Sequence, residues 1–239
     1  MKRLALLTLL SFSALSPAHA VDERYPVYKP RPALAGAAAA SGSPAPASLL
    51  LLWPESFRMI EPGVTLRIGE EAGGGVKIRA AVEAVAVLVN DKNPLSCIPL
   101  ANLKRLYTEE NPTWDMVGDM AGNMTGGVPR AVRRLARAAK PGESDFFMER
   151  VLAGAPASAR VEPIARYSAL LARIAETPET IGYAAAGYRG DGVKALQVSD
   201  GGDCAPPSAS ASYRAEYPLA RFVLLEGERN EAGLAFFDY

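Results

Sequence analysis

Val85-Ala86-Val87-Leu88-Val89 constrains the fold more than any other segment of this chain. Alternate side chains of a strand point to opposite sides of the sheet, so a strand that stays apolar at every position is buried on both faces. Such a strand needs a covering layer on each side. Around it, strand-like and helix-like patterns alternate. Val64–Ile68, Val128–Leu135, Ile181–Tyr183, Val193–Val198 and Leu219–Leu225 read as strands. Leu100, Leu103, Leu106 and Tyr107 recur at helical spacing, and Tyr167–Ile174 does the same. Ser144 suits the cap of a helix carrying Phe146, Phe147, Val151 and Leu152. The class is α/β. Pro54 fits the first position of a helix that Glu61-Pro62-Gly63 ends. Gly69–Gly75 reads as a plain turn; it fails as a phosphate loop because Gly74 is followed by Gly75 and not by Lys. Gly201–Ser212 reads as a loop.

The N-terminus points to export. Lys2 and Arg3 precede the apolar run Leu4–Leu10, and Ala18 and Ala20 stand three and one residues before a cut after Ala20. This is the three-part pattern of a signal peptide, too short to span a bilayer. Residues 1–20 are therefore expected to be removed, leaving a secreted chain with no membrane span. The cut also removes His19, the chain's only histidine. Serine or cysteine nucleophiles paired with His, and His-ligated metals, are thereby excluded from the mature chain. Acid–base chemistry would rest on carboxylates, Lys or Tyr. No catalytic residue, metal ligand or cofactor is assigned, and the reading is that of a binding protein and not an enzyme. The balance of 26 basic against 26 acidic residues also argues against a nucleic-acid binder. Cys97 and Cys204, in an oxidising compartment, read as one disulfide, with two unrelated buried thiols as the alternative.

Residues 21–48 carry Pro26, Pro30, Pro32, Pro44 and Pro46, the run Ala37–Ala40 and Ser41-Gly42-Ser43. This composition predicts a flexible leader without a fold. The folded part is expected over residues 49–239.

The order of the pieces after Val85 resembles a known family. Val85–Asn90, Asn93-Pro94, Leu100–Thr108 and Trp114 are followed by Gly142-Glu143-Ser144-Asp145-Phe146-Phe147 and Thr177-Pro178-Glu179-Thr180-Ile181-Gly182-Tyr183. Val193-Lys194-Ala195-Leu196 and Tyr217-Pro218-Leu219-Ala220-Arg221 close the series. Together these resemble the phosphate-type periplasmic binding proteins. The resemblance implies a two-lobed fold with phosphate or a related oxyanion held between the lobes and passed to an ABC-type importer. It places a reduced first lobe at about 49–88 and 213–239, and a near-complete second lobe at about 89–200.

Residue by residue, the resemblance puts anion-binding roles on Arg137, Lys140, Gly142 and Ser144. Backbone N–H groups at a helix start, hydroxyls and an Arg together satisfy a small anion. The sequence departs from the family there: Pro141 removes an N–H and Glu143 brings a carboxylate, leaving Ser144 to supply the hydroxyl. The family's loop rich in Gly, Ser and Thr, before its first helix, falls on the Ala/Pro leader. Its strand with a ligand Asp has no room between Gly75 and Val85. The departures leave a second reading open, an accessory or interaction protein of the envelope with no small ligand. Arg130, Arg133, Arg134, Arg137 and Lys140 form either an anion site or a solvated charged face. Glu109, Glu110, Asp115 and Asp119 match no calcium-loop spacing, and Trp114 and Tyr183 read as core aromatics.

Overall fold

The computed structural model describes residues 27–42, 47–69, 75–117, 130–138 and 143–239. In chain order its elements are β1 (Gly36–Gly42), α1 (Ala47–Ile60), β2 (Val64–Ile68), β3 (Val76–Asn90), β4 (Cys97–Pro99) and α2 (Leu100–Thr108). After a 3-10 turn at Trp114–Val117 come β5 (Arg133–Arg137), α3 (Glu143–Phe147, running on as a π-helical turn to Leu152) and β6 (Glu162–Ile164). Then follow α4 (Tyr167–Glu176), β7 (Thr180–Ala185), β8 (Val193–Ser199), α5 (Ala209–Tyr213), β9 (Ala220–Gly227) and α6 (Glu231–Asp238).

The long strand β3 organises the molecule. Its first half, Val76–Ala84, pairs antiparallel with β9. Its second half exchanges that partner for β7, over Val85–Val89, and β8, over Val87–Asn90. The exchange between Ala84 and Val85 divides the sheet into a part around β1, β2 and β9 and a part around β5 to β8; taking these as the two lobes moves their boundary from about residue 88 to Ala84. There Val85 N–H donates to the Leu219 carbonyl at 2.9 Å and the Tyr217 hydroxyl donates to the Val85 carbonyl at 2.8 Å. The same unit, two parallel strands joined through a helix, stands in both lobes: β1–α1–β2 in the first and β5–α3–β6 in the second. The second lobe adds β7 beside β5. In the first lobe β9 pairs directly with β1, so no strand stands between them.

The apolar run of β3 is buried on both faces, as its composition requires. Val85, Val87 and Val89 belong to the core under α2 and α3, together with Leu103, Trp114, Phe147 and Tyr183. Ala86 and Leu88 belong to the core under α4, with Leu135, Leu170 and Ile174. The first lobe has its own smaller core, in which Phe57 of α1 and Phe236 of α6 meet Ala38, Ala40 and Leu225. Cys97 and Cys204 are bonded, their Cα atoms 6.1 Å apart, tying β4 to the segment after β8.

Four local expectations are corrected. Gly36–Gly42 is a strand and not part of an unfolded leader; Ala38, Ala39 and Ala40 are almost fully buried. Alanine is a poor strand former on its own, but pairing with β2 on one edge and β9 on the other overrides that propensity. Pro54 lies inside α1 and not at its start. The strand expected at Val128–Leu135 is β5, shifted to Arg133–Arg137, with only an isolated bridge from Ala131 to Thr113 before it. The loop expected at Gly201–Ser212 ends in α5, which the Ser208 hydroxyl caps by accepting from Ala211 N–H at 3.1 Å. Of the Gly69–Gly75 turn only the two ends lie in the described residues.

Three phenols bear on pH. Burial, then the Glu61 carboxylate that accepts its hydroxyl proton at 2.8 Å, pushes Tyr28 up to about 12. Burial also raises Tyr107 and Tyr217. A raised phenol pKa means that the folded state holds the proton more tightly than the unfolded chain. This stability is therefore complete below pH 10 and is lost as pH climbs from 10 through the folded values. Urea unfolding on either side of pH 10 should show the fall, and a Tyr28→Phe chain should show a shallower one.

Candidate functional site

Strand directions select the site. β1 runs antiparallel to β9, and β9 antiparallel to β3, so β1 runs as β3 does, toward the second lobe. β7 runs against β3 and β5 runs with β7, so β5 returns toward the first lobe. Arg133 stands opposite Thr180, which brings Arg137 level with the end of β7, beside the crossover. The carboxyl ends of β1 and β5 thus both point toward the junction of the lobes, β5 ending beside the crossover and β1 ending level with Ile78, seven residues before Val85. Each leads into a helix, α1 or α3, whose first N–H groups are unused by the helix itself. Ligands of open α/β sheets bind beyond the carboxyl ends of strands, and helix starts favour anions.

Arg137 and Ser144 meet at the second of these junctions. Arg137 is buried at the end of β5. Its guanidinium donates to the carbonyls of Ile164, at 3.2 Å, and Ala165. It also lies 4.0 Å over the Tyr167 ring. Tyr188 stacks on the same ring at 3.6 Å, so the two groups must occupy its opposite faces. Among the described residues Arg137 forms no ion pair with a carboxylate. Ser144, also buried, donates its hydroxyl to the Arg137 carbonyl at 3.4 Å. Lys140 and Gly142 lie outside the described residues.

The other arginines of the basic run do different work. Arg130 pairs with Glu179 at 2.6 Å and Arg133 with Glu162 at 3.3 Å, both at the surface. Arg134 is buried and faces the other way, under α2. It donates to the carbonyls of Leu106 at 3.1 Å, Glu109 at 2.5 Å and Glu110 at 3.1 Å. It therefore caps the carboxyl end of α2, where the helix leaves carbonyls unpaired and the dipole favours a cation. Burial lowers its pKa. Of the acidic residues considered together, Glu109 pairs with Arg105 and Glu110 with Arg160, while Asp119 is outside the described residues. Trp114 and Tyr183 are fully buried, and the Trp114 indole donates to the Glu179 carbonyl at 3.2 Å.

Two features of the junction escape the sequence reading. Ser41 and Gly42 end β1 four residues before α1, the place the resemblance reserves for an anion loop, and the connecting residues 43–46 are outside the described set. The signal was a Ser-Gly-Ser triplet followed by an apolar helical run, hidden by the prolines around it. The second feature is Arg221, at the start of β9. It pairs with Glu83 across the two crossing strands and lies 4.5 Å over the Phe146 ring of α3. Its motif was legible, but nothing in the sequence showed what it would face.

No protein-family model matches the chain. In sequence it is 22% identical over 274 residues to the phosphate-binding protein PstS of Pseudomonas aeruginosa, covering 93% of this chain and 83% of that protein. In structure it is similar to an ABC-type phosphate transport receptor from Vibrio cholerae, with a TM-score of 0.66 and 16% identity over 83% of this chain and 92% of the receptor. It is likewise similar to PstS from Borrelia burgdorferi, with a TM-score of 0.64 and 14% identity over 84% and 91% of the two chains. Among the described residues no helix is long and apolar enough to cross a membrane. The chain has the fold of the phosphate-type periplasmic binding proteins, with a near-complete second lobe and a reduced first one.

Proposed function

We propose that this protein is a periplasmic receptor that binds phosphate, or a closely related oxyanion, and hands it to an ABC-type importer without chemical change. Of the relatives named above, one is a phosphate-binding protein and another an ABC-type phosphate transport receptor. The observation that carries the reading is the buried Arg137 charge, with no carboxylate partner among the described residues, at the carboxyl end of β5 beside the crossover. An anion placed there meets the Arg137 guanidinium, the Ser144 hydroxyl and the start of α3, with Lys140 and Gly142 in the same connection. From the first lobe it meets the end of β1 at Ser41-Gly42 and the start of α1. Each hydrogen bond to the charged ligand contributes about 1.5–3 kcal/mol, so several in a partly dry cleft account for tight binding. The mature chain lacks residues 1–20 and works in the periplasm.

A second reading has its own support. Arg137 already donates to two carbonyls and lies on Tyr167, and the Ser144 hydroxyl is bonded to backbone. A site satisfied in this way suits an envelope accessory protein with no ligand. Calorimetry with phosphate separates the two. On the receptor reading the intact mature protein binds phosphate, and Arg137→Met weakens binding by a factor of about ten or more. No heat and no change of melting temperature with phosphate would favour the accessory reading.

A further inference from the structure

A separate cavity of about 1030 Å³ lies against the crossover, lined by none of the residues assigned to the phosphate site. One wall is the crossing strand at Glu83 and Ala84; another is the chain leaving β7, at Ala186 and Gly187; a third is α5, with Ser212 and Tyr213. Ser212 is 5% exposed, and its buried hydroxyl has no hydrogen-bond partner among the described residues. Buried hydroxyls are rarely left unpaired, because their lost hydration is then not replaced.

The polar groups around it are mostly donors. Ser208 and Ser210 each already accept one bond, from Ala211 N–H and from Arg214, and so each keeps a proton to donate. Arg189 is exposed and tethered through one nitrogen to the carbonyls of Ala186 and of Tyr188, the latter at 2.9 Å. It has no carboxylate partner among the described residues, whereas the Glu83 carboxylate in the same wall is matched by Arg221. The cavity therefore carries one uncompensated positive charge and three serine hydroxyls beside apolar alanine walls and the exposed Tyr213. Gly187 leaves the space open: a Cβ there would meet nothing within 4 Å.

We propose that this cavity binds a small organic anion, a carboxylate or phosphate monoester on an apolar body. Arg189 and the hydroxyls of Ser208 and Ser210 hold the charged head, and a small movement of α5 brings in Ser212, whose hydroxyl is otherwise closed off. Ala84, Ala186 and Tyr213 pack against the body. Because Glu83 and Ala84 stand at the crossover, an occupant touches the segment that joins the lobes and favours one angle between them.

The test is a titration of the mature protein with benzoate, phenyl phosphate and benzyl alcohol, all in saturating inorganic phosphate. At least one of the two anions binds and the alcohol does not; the tighter anion identifies the head group. Arg189→Met weakens that binding by about tenfold or more, and Gly187→Leu removes it by filling the space. Both variants keep their affinity for inorganic phosphate, which separates this site from the first. Should Gly187→Leu fail to fold, Arg189→Met alone decides. The proposal is overturned if neither anion binds, if the alcohol binds as well, if inorganic phosphate displaces the anion, or if binding survives the Arg189 substitution.

Discussion

Replacing Cys97 and Cys204 together by alanine lowers the unfolding free energy by about 2–5 kcal/mol, the range for loss of a native disulfide. The effect lies near the top of that range because the bond joins residues 107 apart. Closing so long a loop in the unfolded chain removes much of its conformational freedom, by about 4.7 kcal/mol for a loop of roughly this size. The bond also fixes β4, a strand of three residues that among the described residues pairs only with β8, against the connection that carries α5. Melting temperature should fall by about 10 °C. The same fall should appear when the wild-type protein is melted with a strong reductant. A double variant that melts with the wild type would mean that the pair contributes nothing.

The second large effect is expected at Phe147. Its ring is fully buried, stacked on Tyr183 at 3.8 Å with the planes 8° apart, and edge-on to Tyr107 at 5.1 Å. The three rings hold α3, β7 and α2 together in the second lobe. Phe147→Ala should cost about 3–5 kcal/mol, from lost burial and from the cavity left behind. Phe147→Leu should cost less than half of that, since it keeps most of the volume. Urea unfolding of the two variants checks both numbers. Equal losses for Ala and Leu would show that the ring stack, and not the filled volume, is what matters.

These two sites also show what the sequence could reveal. Phe147 and Tyr183 belong to separate motifs, Gly142–Phe147 and Thr177–Tyr183, and their direct stacking joins the two motifs in one core. The run Val85–Val89 was legible because burial on both faces leaves an unbroken apolar pattern. β1 was not legible: Ala37–Ala40 has weak strand propensity, and only its two neighbouring strands make it one. The arginines show a finer limit. Arg133, Arg134 and Arg137 are close in sequence, but strand alternation sends Arg134 under α2 while Arg133 and Arg137 face β6 and α4. Charge spacing finds the cluster, yet one residue of register decides which arginine caps a helix and which stands at the lobe junction. The reduction of the first lobe was visible in the short span between Gly75 and Val85. Its structural form, β9 laid directly against β1, was not.

The most direct measurement for the account as a whole is a crystal structure of the mature protein grown with phosphate. The account predicts one phosphate between the lobes, touching Arg137 and the start of α3 on one side and the Ser41-Gly42 end of β1 on the other. Phosphate bound elsewhere, or a lobe junction that stays empty at saturating phosphate, would contradict it.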